Sequence, residues 1–307
     1  MIKYNTVNIR CMLFVLLCPG ILHAGATDGC SDPDKYTIDR RCYVSASQRS
    51  TPPYSSVVAL IENGNFVYCT GTIVRHQKKL YMITARHCAV DRKNIPYATI
   101  NIKTSSGKII AVHKHKLGDN VMDFLGDWAV YTVPESDEVP HVQIARAPRG
   151  SSIVNYDVRV IGHGALRVMS DTEIGKLKEK YVQYLKEHNP SSPEIEEMSS
   201  EASTFGVYMP DGASFIRQLD SAYRNDILRD TANLKESHCR YSSDGILTDC
   251  QAWSGNSGGG VFNVSGDTMG VMTHGSGFIG GRYHAESVGT VNLLGKDFQD
   301  PNSILFN

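Results

Sequence analysis

Three short stretches of the chain carry residue types that can hydrolyse an acyl bond. Ser257 lies in Gly255-Asn256-Ser257-Gly258-Gly259-Gly260, where glycines let the backbone turn sharply and leave room for a substrate beside the hydroxyl. The backbone N–H groups of Gly255 and Ser257 are the natural donors for an oxyanion, because such preorganised pairs stabilise charge that develops in the transition state. His87 ends the apolar run Ile83-Thr84-Ala85-Arg86-His87-Cys88, where a turn presents an imidazole able to act as general base. Asp127 opens the apolar segment Asp127-Trp128-Ala129-Val130, so it can be buried beneath a histidine and still accept hydrogen bonds; Asp123 is the second choice. A serine nucleophile needs a base within hydrogen-bond reach, a carboxylate to orient that base and donors for the oxyanion, and these three stretches supply all of them.

Residues so far apart in the chain must be brought together by the elements that carry them. From about Ser55 the text reads as short strands: Ser56 to Glu62, Phe66 to Val74, Leu80 to Thr84, Ala98 to Thr104, Lys108 to His113, Trp128 to Val133, Tyr156 to Ile161, Gly260 to Val264 and Thr268 to Thr273. Asn63-Gly64 between two apolar runs predicts a hairpin. Many short strands with glycine turns predict a barrel or sandwich. Asp171 to Glu187 departs from this pattern. Its Ile174, Leu177, Tyr181, Tyr184 and Leu185 recur at three- and four-residue spacings, which predicts an amphipathic surface helix. The proline- and serine-rich stretch that follows, and a partly helical Ala213 to Lys235, make residues 171–235 an insertion, not a second domain.

Taken in order, Thr84-Ala85-Arg86-His87-Cys88, Asp127-Trp128-Ala129-Val130 and Gly255-Asn256-Ser257-Gly258-Gly259 resemble the three signature blocks of trypsin-like serine peptidases, closer to the bacterial and V8-like branches. The resemblance spans roughly Ser55 to Gly277. It implies an all-β, chymotrypsin-like fold of two six-stranded antiparallel barrels, with His87 and Asp127 from the first barrel and Ser257 from the second. It also implies a secreted endopeptidase acting through an acyl-enzyme, with a protein or peptide as substrate. The pocket for the side chain before the cut bond is then walled by Gln251 to Ser254 and Thr273 to Gly277, with Gln251, Thr273, His274 and Gly275 as lining candidates. Asn256 stands where trypsin carries an aspartate that pairs with a newly formed N-terminus, so that activation route is closed here. The expectation is that signal removal suffices, or that any propeptide within 27–54 acts sterically. The rival from another class is an exported binding or adhesion module that retained the fold without catalysis.

The remaining composition bounds the setting. Lys3 and Arg10, an apolar run from Cys11 to Leu22 and the small Ala24-Gly25-Ala26 predict a signal peptide over 1–26, an N-terminal extension over 27–54 and a peptidase domain over 55–307, secreted or periplasmic. No later run approaches the length of a spanning helix, so no membrane anchor is expected. With 31 basic and 32 acidic residues, the near-zero net charge favours no nucleic-acid partner. Removing the signal leaves Cys30, Cys42, Cys69, Cys88, Cys239 and Cys250, an even set for three bridges. The connectivity stays open, although short separations favour Cys30 with Cys42, Cys69 with Cys88 and Cys239 with Cys250. The cysteine and histidine spacing fits no zinc motif, and neither metal nor cofactor is expected.

Overall fold

The computed structural model describes residues 41–119, 126–136, 138–145, 156–165, 167–193, 195–196, 222, 229–243, 246–248, 255–274, 277–279, 282–284 and 288–292. The predicted signal peptide and the cysteines Cys30 and Cys250 lie outside these residues.

The strands of the first half are β1 (Arg41–Tyr43), β2 (Val57–Glu62), β3 (Phe66–His76), β4 (Lys79–Thr84), β5 (Thr99–Lys103), β6 (Ile109–Leu117) and β7 (Ala129–Val133). Strands β2-β3-β4-β7-β6-β5 close into an antiparallel barrel. The β2–β3 turn takes the predicted form, with Asn63 at φ 47° and Gly64 at φ 89°. Alternation along β4 shows how the barrel is positioned. Leu80 and Met82 point into the barrel core, whereas Tyr81 and Ile83 point the other way into a second apolar cluster with Val130, Ile161, Phe262 and Val271. Strands buried on both faces lose the polar alternation of a half-exposed sheet, which is why β2 and β4 read as continuous apolar runs.

The second half contributes β8 (Tyr156–Gly162), helix α1 (Asp171–His188), then β9 (Lys235–Ser243), β10 (Ile246–Thr248), β11 (Gly260–Phe262), β12 (Thr268–His274), the hairpin β13 (Gly277–Ile279) and β14 (Arg282–His284), and β15 (Val288–Asn292). The pairings β8–β9–β10–β15–β12–β11 return to β8, so these six strands also form a closed ring. Val158, Val160, Tyr241, Leu247, Val261, Met269 and Met272 fill it. The all-β, two-barrel architecture is therefore present. The cluster shared by the barrels includes Ile83, Val130, Ile161, Phe262 and Val271, all at 0 % exposure. At about 2 kcal/mol for each such side chain, this interface contributes on the order of 10 kcal/mol, comparable with the net stability of a whole domain. The barrels thus form one unit, with loops from both meeting at their junction.

Three strands fall outside the runs read from the sequence. β1 falls within the expected N-terminal extension yet pairs with β9, Arg41 opposite Ser237 and Tyr43 opposite Lys235. The second is β9, which opens at Lys235 where the expected insertion ends; its text Lys-Glu-Ser-His-Cys-Arg-Tyr-Ser-Ser looks too polar for a barrel strand. Its polar groups are buried because they are partnered. Lys235 Nζ donates to the carbonyls of Gly164 (2.8 Å) and Asp230 (2.6 Å), and the buried Glu236 faces Arg159 at 3.9 Å. Third, β15 lies beyond Gly277 and is needed to close the second ring.

Helix α1 follows its predicted span. Ser170 caps it through a reciprocal capping box with Glu173, and Leu177, Tyr181 and Leu185, at four-residue spacing, are its buried face. Most of the remaining insertion lies outside the described residues.

Candidate active site at the barrel junction

Strand β4 ends at Thr84, and a single 3₁₀ turn over Arg86–Cys88 presents His87 at the barrel rim. The turn is fastened at both ends. Cys88 is disulfide-bonded to Cys69 of β3, with Cα atoms 6.1 Å apart, and the Arg86 guanidinium donates to the carbonyl of Gly118 and to Asn94 Oδ1. Cys42 and Cys239 each take part in a disulfide as well, whose other half lies outside the described residues.

Asp127 lies two residues before β7 and is fully buried. Its Oδ2 accepts from His87 Nδ1 at 2.7 Å and its Oδ1 accepts from the His87 backbone N–H at 2.9 Å. The two bonds set the imidazole orientation and specify the tautomer with the proton on Nδ1, which leaves Nε2 as the basic nitrogen. The His87 side chain is 37 % exposed, open to a reacting partner. Asp123 lies outside the described residues.

The Ser257 turn leads into β11 and is anchored to the first barrel chiefly by Thr70 of β3. Thr70 is fully buried; its N–H donates to the Ser257 carbonyl at 2.8 Å, and its Oγ1 donates to the Gly255 carbonyl at 2.7 Å. Thr70 Oγ1 also accepts the His163 N–H at 2.9 Å, while the Thr70 carbonyl accepts from Thr84 Oγ1 at 2.7 Å. A single hydroxyl thus ties the serine turn to the β8 exit, and Thr84 ties that assembly to the histidine turn. The sulfur of Cys88, the neighbour of His87, lies 3.8 Å from the Ser257 carbonyl.

Glycine is required at two points of this turn. Gly258 sits at φ +82°, and a Cβ there would lie 2.0 Å from the Thr70 carbonyl and 2.1 Å from Thr84 Oγ1. Gly255 sits at φ +98° with the His163 carbonyl 2.5 Å from where its Cβ would be. Among the described residues the N–H groups of Gly255 and Ser257 donate to no other group, whereas those of Gly258 and Gly259 are engaged by the Met272 and Asn256 carbonyls. Asn256 is 5 % exposed and packs against Gly164, where a Cβ would meet its Oδ1 at 2.7 Å.

Beneath the turn, His163 Nδ1–H donates to the Thr231 carbonyl at 3.0 Å. Burial pushes its pKa down to about 4; the Thr231 bond opposes that shift, and the charges of Lys235, Arg49 and Lys103 reinforce it. His163 is therefore a neutral structural group.

Of the predicted pocket residues, Thr273 is buried in β12 and His274 ends the same strand opposite Gly289; Gln251 and Gly275 lie outside the described residues. Donor atoms of Cys69, His87 and Cys88 lie within 4.8 Å of one another, but both sulfurs are spent on the disulfide, so the trio is not a metal-ligand set. Sequence reasoning missed Thr70, Thr84 and His163, because an isolated threonine in a strand carries no signal until the strand is known to face the serine turn.

Paired antiparallel barrels with such a junction define the chymotrypsin-like class of fold. A family profile described as "Trypsin-like peptidase domain" matches residues 69–271, and the chain belongs to that family. Among solved structures, one described as "Structure of Glu endopeptidase in complex with MPD" aligns with a TM-score of 0.50 at 12 % identity, covering 86 % of this chain and 95 % of the other. A serine endoprotease from Yersinia pestis aligns with a TM-score of 0.40 at 17 % identity, over 80 % of this chain and 60 % of its own. No curated protein sequence matches. Among the described residues no helix is long and apolar enough to cross a membrane.

Proposed function

We propose that the protein is an exported serine endopeptidase in which Ser257 is the nucleophile, His87 the general base and acid, and Asp127 the orienting carboxylate. The observation that carries this reading is the double clamp of His87 by the fully buried Asp127, beside a serine turn held against the same barrel. A carboxylate at 0 % exposure is costly unless it is partnered. Among its partners are the Nδ1–H and backbone N–H of one histidine, an arrangement suited to stabilising an imidazolium.

The reaction follows from these roles. Ser257 Oγ attacks the scissile carbonyl while His87 Nε2 takes its proton, and the resulting oxyanion is received by the N–H groups of Gly255 and Ser257, which donate to no other group among the described residues. His87 returns the proton to the leaving amine, releasing the first product and leaving an ester on Ser257. A water activated by His87 hydrolyses that ester, regenerating the serine. Asp127 holds the imidazole in register throughout.

Export is part of the same proposal. It rests on the basic, apolar and small-residue pattern of 1–26 and on the Cys69–Cys88 bond, which is expected in an oxidising compartment.

The test is cleavage of a mixed peptide library by protein lacking residues 1–26, beside Ser257→Ala, with products mapped by mass spectrometry. Cleavage abolished in the variant, together with labelling of Ser257 by a serine-directed phosphonate, is the expected result. A folded protein that neither cleaves nor takes the phosphonate would establish the binding-module reading instead.

A further inference from the structure

Two clefts share part of their lining, and one of them adjoins the serine turn. One, of about 580 Å³, is lined by Phe66 and Tyr68 of β3, by Ala165 and Arg229, and by Gly255. The other, of about 430 Å³, continues past Arg49, Lys103, Thr104 and His163. Asn65, Val67 and Thr231 line both, so the two form a continuous groove that starts at the predicted oxyanion donor.

Chain connectivity tells which side of the cut bond this groove serves. The leaving amine departs over His87, whose neighbour Cys88 is bonded to Cys69, and the groove wall Phe66 to Tyr68 is the stretch of β3 that runs directly into Cys69. The groove therefore opens on the leaving-group side.

Its charge is one-sided. Arg229, Arg49 and Lys103 line it, and no carboxylate does among the described residues. Arg49 is held by neutral acceptors, the Val44 carbonyl and Asn233 Oδ1. The nearby Asp230 is engaged by Lys235 at 3.2 Å and by the Tyr43 hydroxyl at 2.6 Å, so it does not neutralise the lining cations. Burial is the main cause of the depressed pKa of His163, and the charges of Lys235, Arg49 and Lys103 add to it.

We propose that this groove is an extended binding surface for the substrate chain after the cut bond, and that it selects acidic side chains there. The inference rests on the peptidase reading above. Arg229 beside Gly255 meets the residues nearest the cut, and Lys103 with Arg49 meets those further along. Phe66, 64 % exposed at the rim, offers an apolar contact between them.

The experiment compares quenched fluorescent peptides that are identical before the cut and carry Asp, Ala or Lys at the second to fifth positions after it. A peptide anilide, which has no residues beyond the cut, serves as control. The expected result is a kcat/KM ranking of Asp over Ala over Lys, spanning about tenfold between the extremes at low salt and shrinking at 1 M salt. The Arg229→Gln/Lys103→Gln double variant should flatten that ranking while leaving anilide hydrolysis unchanged. Anilide hydrolysis with equal rates on all three peptides would overturn the groove alone, as would a ranking that survives in the double variant. Absence of both anilide and peptide hydrolysis would overturn the peptidase reading and the groove with it.

Discussion

Thr70→Val isolates a group that touches no substrate and yet is expected to govern catalysis. Valine keeps the shape of a side chain that is fully buried but removes two bonds, the donation to the Gly255 carbonyl at 2.7 Å and the acceptance from His163 N–H at 2.9 Å. Leaving each of these buried backbone groups unpaired costs about 1–3 kcal/mol, so unfolding in urea should show a loss of about 2–6 kcal/mol. The catalytic consequence is separate. The Gly255 carbonyl belongs to the peptide plane between the two proposed oxyanion donors, and without its anchor that plane is free to rotate. Complete loss of one oxyanion donor costs on the order of 100- to 1000-fold in rate. Partial misalignment should lower kcat by about 10- to 100-fold with KM changed less than about threefold, and should slow phosphonate labelling in parallel. Thr70→Ser restores the hydroxyl and should restore kcat. A valine variant that loses stability but keeps kcat within about twofold of the parent would refute the positioning role, as would a serine variant equally impaired.

Gly258→Ala places a methyl 2.0 Å from the Thr70 carbonyl at a positive φ; the expected outcome is loss of hydrolysis and phosphonate labelling, with circular dichroism still reporting β structure from the barrels. Replacing both Cys69 and Cys88 by alanine opens a link across a sequence separation of 19 residues and should cost about 3 kcal/mol in urea unfolding, together with a fall in kcat as the histidine turn loosens. For His163, the pKa is about 4 in the folded protein against 6.5 ordinarily. Between those values the unfolded chain binds a proton that the folded one excludes, so the histidine's contribution to stability is intact above about pH 6.5 and is lost as pH falls towards about 4. Melting temperatures across that window should decline less steeply in His163→Asn than in the parent; parallel declines would show that another group is responsible.

What the amino-acid sequence determined by itself was local. The Asn63-Gly64 turn, the apolar runs of β2 to β4 and helix α1 were legible because each is set by neighbouring residues: left-handed φ at the turn, side-chain alternation in the strands, and three- and four-residue apolar spacing in the helix. The flanks of His87, Asp127 and Ser257 also marked those residues as candidates for acyl chemistry. The tertiary structure alone decided what depends on distant pairing. β9 was illegible because a strand bearing lysine, glutamate and serine is stable only where Gly164, Asp230 and Arg159 supply partners. β1 was read as part of an extension because three residues carry no periodicity, and only the register with β9 makes them a strand. The hub at Thr70 and the cationic groove from Gly255 to Lys103 exist only once the two barrels meet, since each is assembled from side chains that adjoin in space but lie far apart along the chain.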